Sequence, residues 1–99
     1  MITEFVEFKV LETTTDEQLI SKADNMINDF WKKQDGFIDA ELVKEIEGNS
    51  WYFIYHNENL EKLKACGGKM RNTKEFAEFI SLVVPESISV TFFHKLRKW

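Results

Sequence analysis

His56, His94, Cys66 and the aromatic run Trp51-Tyr52-Phe53-Ile54-Tyr55 are the side chains of this sequence best suited to chemistry. An imidazole near neutral pH serves as acid or base. Neither histidine has a carboxylate three or four residues ahead of it, so no metal site is expected. No third group orients either ring, and the plainer reading of each is a half-buried imidazole at a strand end or an interface. Cys66 precedes Gly67-Gly68-Lys69, where nothing nearby in the chain depresses a thiol pKa, and a lone thiol is more often a small buried hydrophobe than a nucleophile. Gly67-Gly68-Lys69 lacks the spacing and the Ser or Thr of a phosphate loop. It reads instead as a kink that lets a helical segment clear a pocket.

The elements around these residues follow from periodicity. Phe5 to Leu11 alternates, with Val6, Phe8 and Val10 on one side and Phe5, Glu7, Lys9 and Leu11 on the other, which predicts a strand. Thr14 with Glu17, or Thr15 with Gln18, has the spacing of a capping box. The helix it opens carries the stripe Leu19, Ile20, Ala23, Met26, Ile27, Phe30 and Trp31, and Gly36 is expected to end it as a left-handed cap. Phe37 to Ile46 predicts a second strand, with Ile38, Ala40 and Leu42 opposed to Asp39, Glu41 and Val43. Glu47-Gly48-Asn49-Ser50 turns it into a third strand from Trp51 to His56.

Trp51, Phe53 and Tyr55 share one side of that third strand. Trp51 and Tyr55 are expected to face the helices beside Phe8, as core or as the lining of an aromatic pocket. Asn59 caps a second helix through Leu60, Leu63 and Ala65, which the two glycines are expected to break. Asn72 with Glu75 restarts a cap ahead of Phe76, Phe79, Ile80 and Val83, and Pro85 closes this segment. A last strand runs from Ile88 through His94 to the basic tail Lys95-Leu96-Arg97-Lys98-Trp99.

The order βαββαβ predicts an α+β, ferredoxin-like fold: a four-stranded antiparallel sheet with helices on one face, in a single domain over residues 1–99. Tyr52, Ile54, His56, Phe5, Leu11 and Phe93 then lie on the other sheet face, too apolar to stay wet, and a sheet-to-sheet homodimer is expected. Seventeen acidic against 13 basic residues give a net charge of −4, which disfavours nucleic acid and anionic membranes as partners. The aromatic third strand distantly suggests an RNA-recognition domain, but the Lys/Arg-Gly-Phe-Gly signature is missing. No apolar run approaches the roughly 20 residues of a membrane span, and the charge-interrupted N-terminus is unlike a signal peptide. One cysteine forms neither an internal disulfide nor a multi-thiolate site, so a cytoplasmic location is expected.

Asp35-Gly36-Phe37-Ile38, the aromatic strand entering Asn57-Glu58-Asn59-Leu60-Glu61, and Val84-Pro85-Glu86-Ser87-Ile88 together resemble the dimeric α+β barrel superfamily, in particular small antibiotic biosynthesis monooxygenase-like proteins. The resemblance spans nearly the whole chain. Where relatives commonly carry a Trp after the third strand, this chain has Asn57. The resemblance implies a homodimer with a small pocket between sheet and helices in each subunit. Haem degraders of this superfamily use an Asn on the first strand and a Trp and a His in the second helical region. Here the first strand carries Phe8, and no Trp or His lies between Asn57 and Phe93, so haem chemistry is not implied.

What the resemblance does imply is cofactor-independent oxidation of a small aromatic or enolisable molecule, with no cofactor or metal. Phe8, Trp51, Tyr55, Asn57, Cys66 and His94 are the pocket candidates, of which Tyr55, Asn57 or His94 would position the substrate by hydrogen bonds. The competing reading is a non-catalytic small-ligand-binding or interaction homodimer, since fold alone does not transfer an activity.

Overall fold

A computed structural model describes all of residues 1–99. In chain order come β1 (Ile2–Phe8), α1 (Asp16–Asp29), β2 (Phe37–Lys44), β3 (Trp51–Asn57), α2 (Leu60–Met70), α3 (Lys74–Ile80) and β4 (Ser89–His94), with 3-10 turns at Trp31–Lys33 and Pro85–Ser87. The strands form one antiparallel sheet in the order β2-β3-β1-β4, the ferredoxin-like arrangement expected. No helix is long and apolar enough to cross a membrane.

Register fixes which side chains meet the helices. Phe8 pairs with Trp51, Val6 with Phe53, Glu4 with Tyr55 and Ile2 with Asn57, so the even residues of β1 and the odd residues of β3 share the helix side of the sheet. Ile2, Phe8, Trp51, Phe53, Tyr55 and Asn57 are buried there, against Leu19, Ala23 and Met26 of α1, Leu63 of α2 and Phe79 of α3. Tyr52, Ile54 and His56 alternate onto the outer face.

Several boundaries differ from the sequence reading, each for a physical reason. β1 starts at Ile2 and stops at Phe8, because beyond Phe8 the chain leaves the sheet to meet the segment after α3: Val10 bridges Val83, and the Leu11 amide donates to the Leu82 carbonyl at 2.9 Å. Leu11 therefore lies beyond the strand. β2 contains a bulge in which Phe37 pairs with Asn57 and Asp39 with His56. The extra residue, Ile38, is turned outward and 47% exposed. β2 also ends at Lys44, leaving Ile46 fully exposed in the turn.

The helical segments hold to their caps more closely than to their glycines. Thr15 and Gln18 form the reciprocal capping box of α1. α1 stops at Asp29 rather than at Gly36, and the following 3-10 turn rewinds the chain so that both Phe30 and Trp31 enter the core with their rings edge to face at 5.5 Å. Ile20, assigned to the same stripe, is instead exposed. Gly36, at φ +87°, makes the corner into β2. A Cβ there would meet Asn57 Oδ1 and Lys62 Cδ, each at 2.7 Å, so the corner admits only glycine.

α2 begins at the Asn59 cap, whose side chain accepts from the Lys62 amide at 2.9 Å. It continues through Gly67 and Gly68 to Met70, where the sequence reading placed a break. The break falls three residues later, where Thr73 rather than Asn72 caps α3 by accepting from the Phe76 amide.

Candidate functional site

Between the sheet and the helices lies a cavity of about 230 Å³, walled mostly by apolar side chains. β1 supplies Glu4, Val6 and Phe8 to its floor, β3 supplies Phe53 and Tyr55, and Trp31 enters from the 3-10 turn. Gly67, Met70 and Arg71 at the end of α2, with Phe76, Phe79 and Ile80 of α3, form the roof. Ile88 and Val90 close the side toward β4. Arg71, Ile88 and Val90 are solvent-exposed, which puts the mouth between the end of α2 and the edge strand β4.

The walls are held by ring-on-ring packing. Trp31 lies on Tyr55 with centroids 4.5 Å apart, Phe53 stacks on Tyr55 at 5.2 Å, and Phe79 meets Phe8 and Phe53 edge-on at 5.5 and 5.4 Å. The Trp31 indole N–H donates to Met70 Sδ at 3.2 Å and ties the turn to the end of α2.

Three lining side chains are polar: Glu4, Tyr55 and Arg71. Burial in apolar surroundings pushes the Glu4 carboxyl up to about 7. The Tyr55 phenol is held well above its usual range, first by burial and second by the nearby Glu4 charge. No group of three or more His, Cys, Asp or Glu side chains is placed to hold a metal ion.

Of the residues singled out from sequence, Phe8 and Tyr55 line the cavity. Trp51 does not: it is buried one strand pair further along, stacked on Phe8 at 6.5 Å with the Lys44 ammonium 5.0 Å from its ring centre. Asn57 is fully buried at the Gly36 corner, where its Oδ1 accepts from the Asn59 amide at 3.3 Å and its Nδ2 has no partner. Cys66 is buried on α2 with Sγ 3.9 Å from the Asp35 carbonyl, and burial raises its thiol pKa. His94 ends β4 in solvent. His56 is on the outer face with Nδ1 against Asp39.

Glu4 was missed because the first strand was begun at Phe5. Carrying the alternation back through Val6 to Glu4 and Ile2 would have shown one carboxylate on an otherwise apolar strand face. Gly67 does border the cavity, through its missing side chain and not through a break in the helix.

No family model and no curated protein matches the sequence. Solved structures do match. A mutant of SnoaB, a cofactor-independent oxygenase from Streptomyces nogalater, superposes with a TM-score of 0.80 at 15% identity, covering 98% of this chain and 94% of that one. This chain shares its fold with these solved structures. The monooxygenase ActVA-Orf6 of Streptomyces coelicolor, in complex with Nanaomycin D, gives 0.78 at 17% identity over 99% and 89% of the two chains. An antibiotic biosynthesis monooxygenase gives 0.70 at 9% identity over 98% and 100%. Identities this low carry the fold alone and leave the chemistry to the cavity's own residues.

Proposed function

We propose that the protein is a cofactor-independent monooxygenase that oxidises a small electron-rich aromatic or enolisable molecule in this cavity. The observation that carries the reading is the aromatic slot itself, in which the Trp31 and Tyr55 rings, a carboxylate and an arginine converge on one enclosed apolar space. Its volume of about 230 Å³ lies below the roughly 300–1,000 Å³ of drug-sized pockets, which favours one or two fused rings. Such a substrate, once deprotonated, is electron-rich enough to reduce dioxygen itself. The protein then has to orient it, exclude water and manage its protons. Tyr55 offers the substrate a hydroxyl that no protein group engages, and Arg71 at the mouth offers a positive charge to a substrate anion.

We take the working molecule to be a homodimer joined through the outer sheet faces. Phe5 and Phe93 are 37% and 46% exposed there with their rings 5.1 Å apart, beside Ile54 and His56.

The test is dioxygen uptake by the purified protein with 1,5-dihydroxynaphthalene as probe, which carries a ring hydrogen para to each hydroxyl, alongside binding read by quenching of tryptophan fluorescence. Uptake with one labelled oxygen atom entering a naphthoquinone product is the expected result. Saturable binding with no uptake above the protein-free rate would defeat the oxygenase reading and leave a ligand-binding dimer.

A further inference from the structure

Glu4 is the only carboxylate among the cavity-lining residues and the only polar residue on the helix side of β1, between Ile2 and Val6. Its cross-strand neighbours are Tyr55 on β3 and Phe92 on β4, so it sits between two aromatic side chains. It takes part in none of the side-chain hydrogen bonds or ion pairs of the protein, whereas Glu7, three residues on and facing outward, accepts from the Ser50 hydroxyl at 3.1 Å. A half-buried carboxylate without a partner opposes folding, and a leucine there would complete the strand's apolar face.

The other charged or titratable groups around it are few. Tyr55 faces it from β3, and Arg71 lines the same cavity from the end of α2. His94 follows Phe92 on the same side of β4, and Lys64 of α2 reaches over the Phe92 ring at 5.7 Å. α1, the 3-10 turn and α3 present only Met26, Trp31, Phe76, Phe79 and Ile80 to the cavity.

We infer that Glu4 is the general base of the cavity, taking the hydroxyl proton of a phenolic substrate stacked against Tyr55 and Trp31. The inference rests on the oxygenase reading above. The balance for a naphthol-type substrate runs through Glu4 twice. Glu4 takes the hydroxyl proton, and the resulting anion gives one electron to dioxygen. The superoxide and substrate radical so formed join through a new C–O bond at the ring carbon para to the oxygen, and Glu4 returns its proton to the peroxide. Glu4 then takes the remaining hydrogen of that carbon as a proton while the O–O bond breaks and C=O forms. The departing hydroxide recovers the proton and leaves as water. In sum the substrate loses two hydrogens and gains one oxygen atom, and the other atom of dioxygen is reduced to water. A carboxyl raised to about 7 suits this cycle, because it is base enough to accept and acid enough to return a proton near neutrality.

The experiment compares wild type, Glu4→Gln and Glu4→Asp with 1,5-dihydroxynaphthalene, measuring kcat against pH by dioxygen uptake and Kd by tryptophan fluorescence. The wild-type kcat is expected to rise with pH through about 7 as one group ionises. Glu4→Gln is expected to lose about 100-fold or more in kcat and that pH step, with Kd changed less than about threefold. Glu4→Asp is expected to keep the step at a reduced rate. A Glu4→Gln protein that binds the probe and turns it over within about threefold of wild type would overturn the assignment while leaving the oxygenase reading intact. Wild-type protein that binds the probe without consuming dioxygen would overturn both.

Discussion

At the residue scale the molecule keeps a carboxylate where folding would favour a hydrocarbon, and this has a measurable consequence. The Glu4 carboxyl ionises near 7 when folded, against an ordinary value of 4.5. Between these values the folded state holds a proton that the unfolded state has lost, so stability falls as pH rises from about 4.5 to about 7 and stays low above it. Glu4→Gln removes that penalty. It should be more stable than wild type by about 1–3 kcal/mol near pH 8, the full shift being discounted because the carboxyl is partly solvated, and the difference should nearly vanish near pH 4.5. Urea unfolding at the two pH values checks this, and a pH-independent difference would contradict it. Phe8, Trp51 and Tyr55 were legible as buried because ring side chains at period two announce a buried strand face, but that periodicity does not separate Trp51, which lies away from the cavity, from the two that line it. Asn57, Cys66 and His94 were not separable from the site by type alone. Their distance from it depends on where β3 ends, how α2 is rotated and how exposed the edge strand is, all of which are tertiary quantities.

At the scale of elements, α2 shows that glycine can act by what it leaves open. Capping residues predicted the starts of α1 and α2 correctly, since Thr15-to-Gln18 and Asn59 hydrogen bonds are local and survive any tertiary context. The Gly67-Gly68 pair misled because backbone freedom permits a break without requiring one, and packing over the cavity holds the helix together. A Cβ at Gly67 or at Gly68 meets no atom within 4 Å, yet only Gly67 borders the cavity. Both Gly67→Ala and Gly68→Ala should therefore stabilise the fold, by about 0.5–1 kcal/mol each, through helix propensity. Their effects on the site should diverge: Gly67→Ala places a methyl group in the slot and should weaken binding of dihydroxynaphthalene several-fold, while Gly68→Ala should leave it unchanged. Paired thermal unfolding and fluorescence titrations distinguish the two, and equal binding by both variants would mean that the roof over Gly67 does not limit the ligand.

At the scale of the whole molecule, one sheet serves two purposes through the alternation of its side chains. Phe53 and Tyr55 of β3 with Glu4, Val6 and Phe8 of β1 line the cavity, while their neighbours Phe5, Ile54 and His56, with Phe93 of β4, form the opposite face. Strand order and the two-layer arrangement were legible from the βαββαβ pattern, because alternation and turn chemistry are local and the right-handed crossover leaves few topologies. The partner face was legible only as excess apolar surface, since one chain cannot show what covers it. If a second copy covers it, Phe93→Glu introduces two like charges into a self-complementary interface, one from each subunit, and should yield a monomer at micromolar concentration. Ile46→Glu, changed at a fully exposed position in the β2–β3 turn, should remain dimeric. Native mass spectrometry and sedimentation check both, and a wild-type monomer or a dimeric Phe93→Glu protein would refute this interface. The same experiment bears on the cavity, because β4 contributes Val90 to the cavity wall and Phe93 to the outer face. An edge strand held by a partner is held at the cavity mouth as well. The monomeric variant should therefore bind the probe more weakly than wild type even though no cavity residue has been changed.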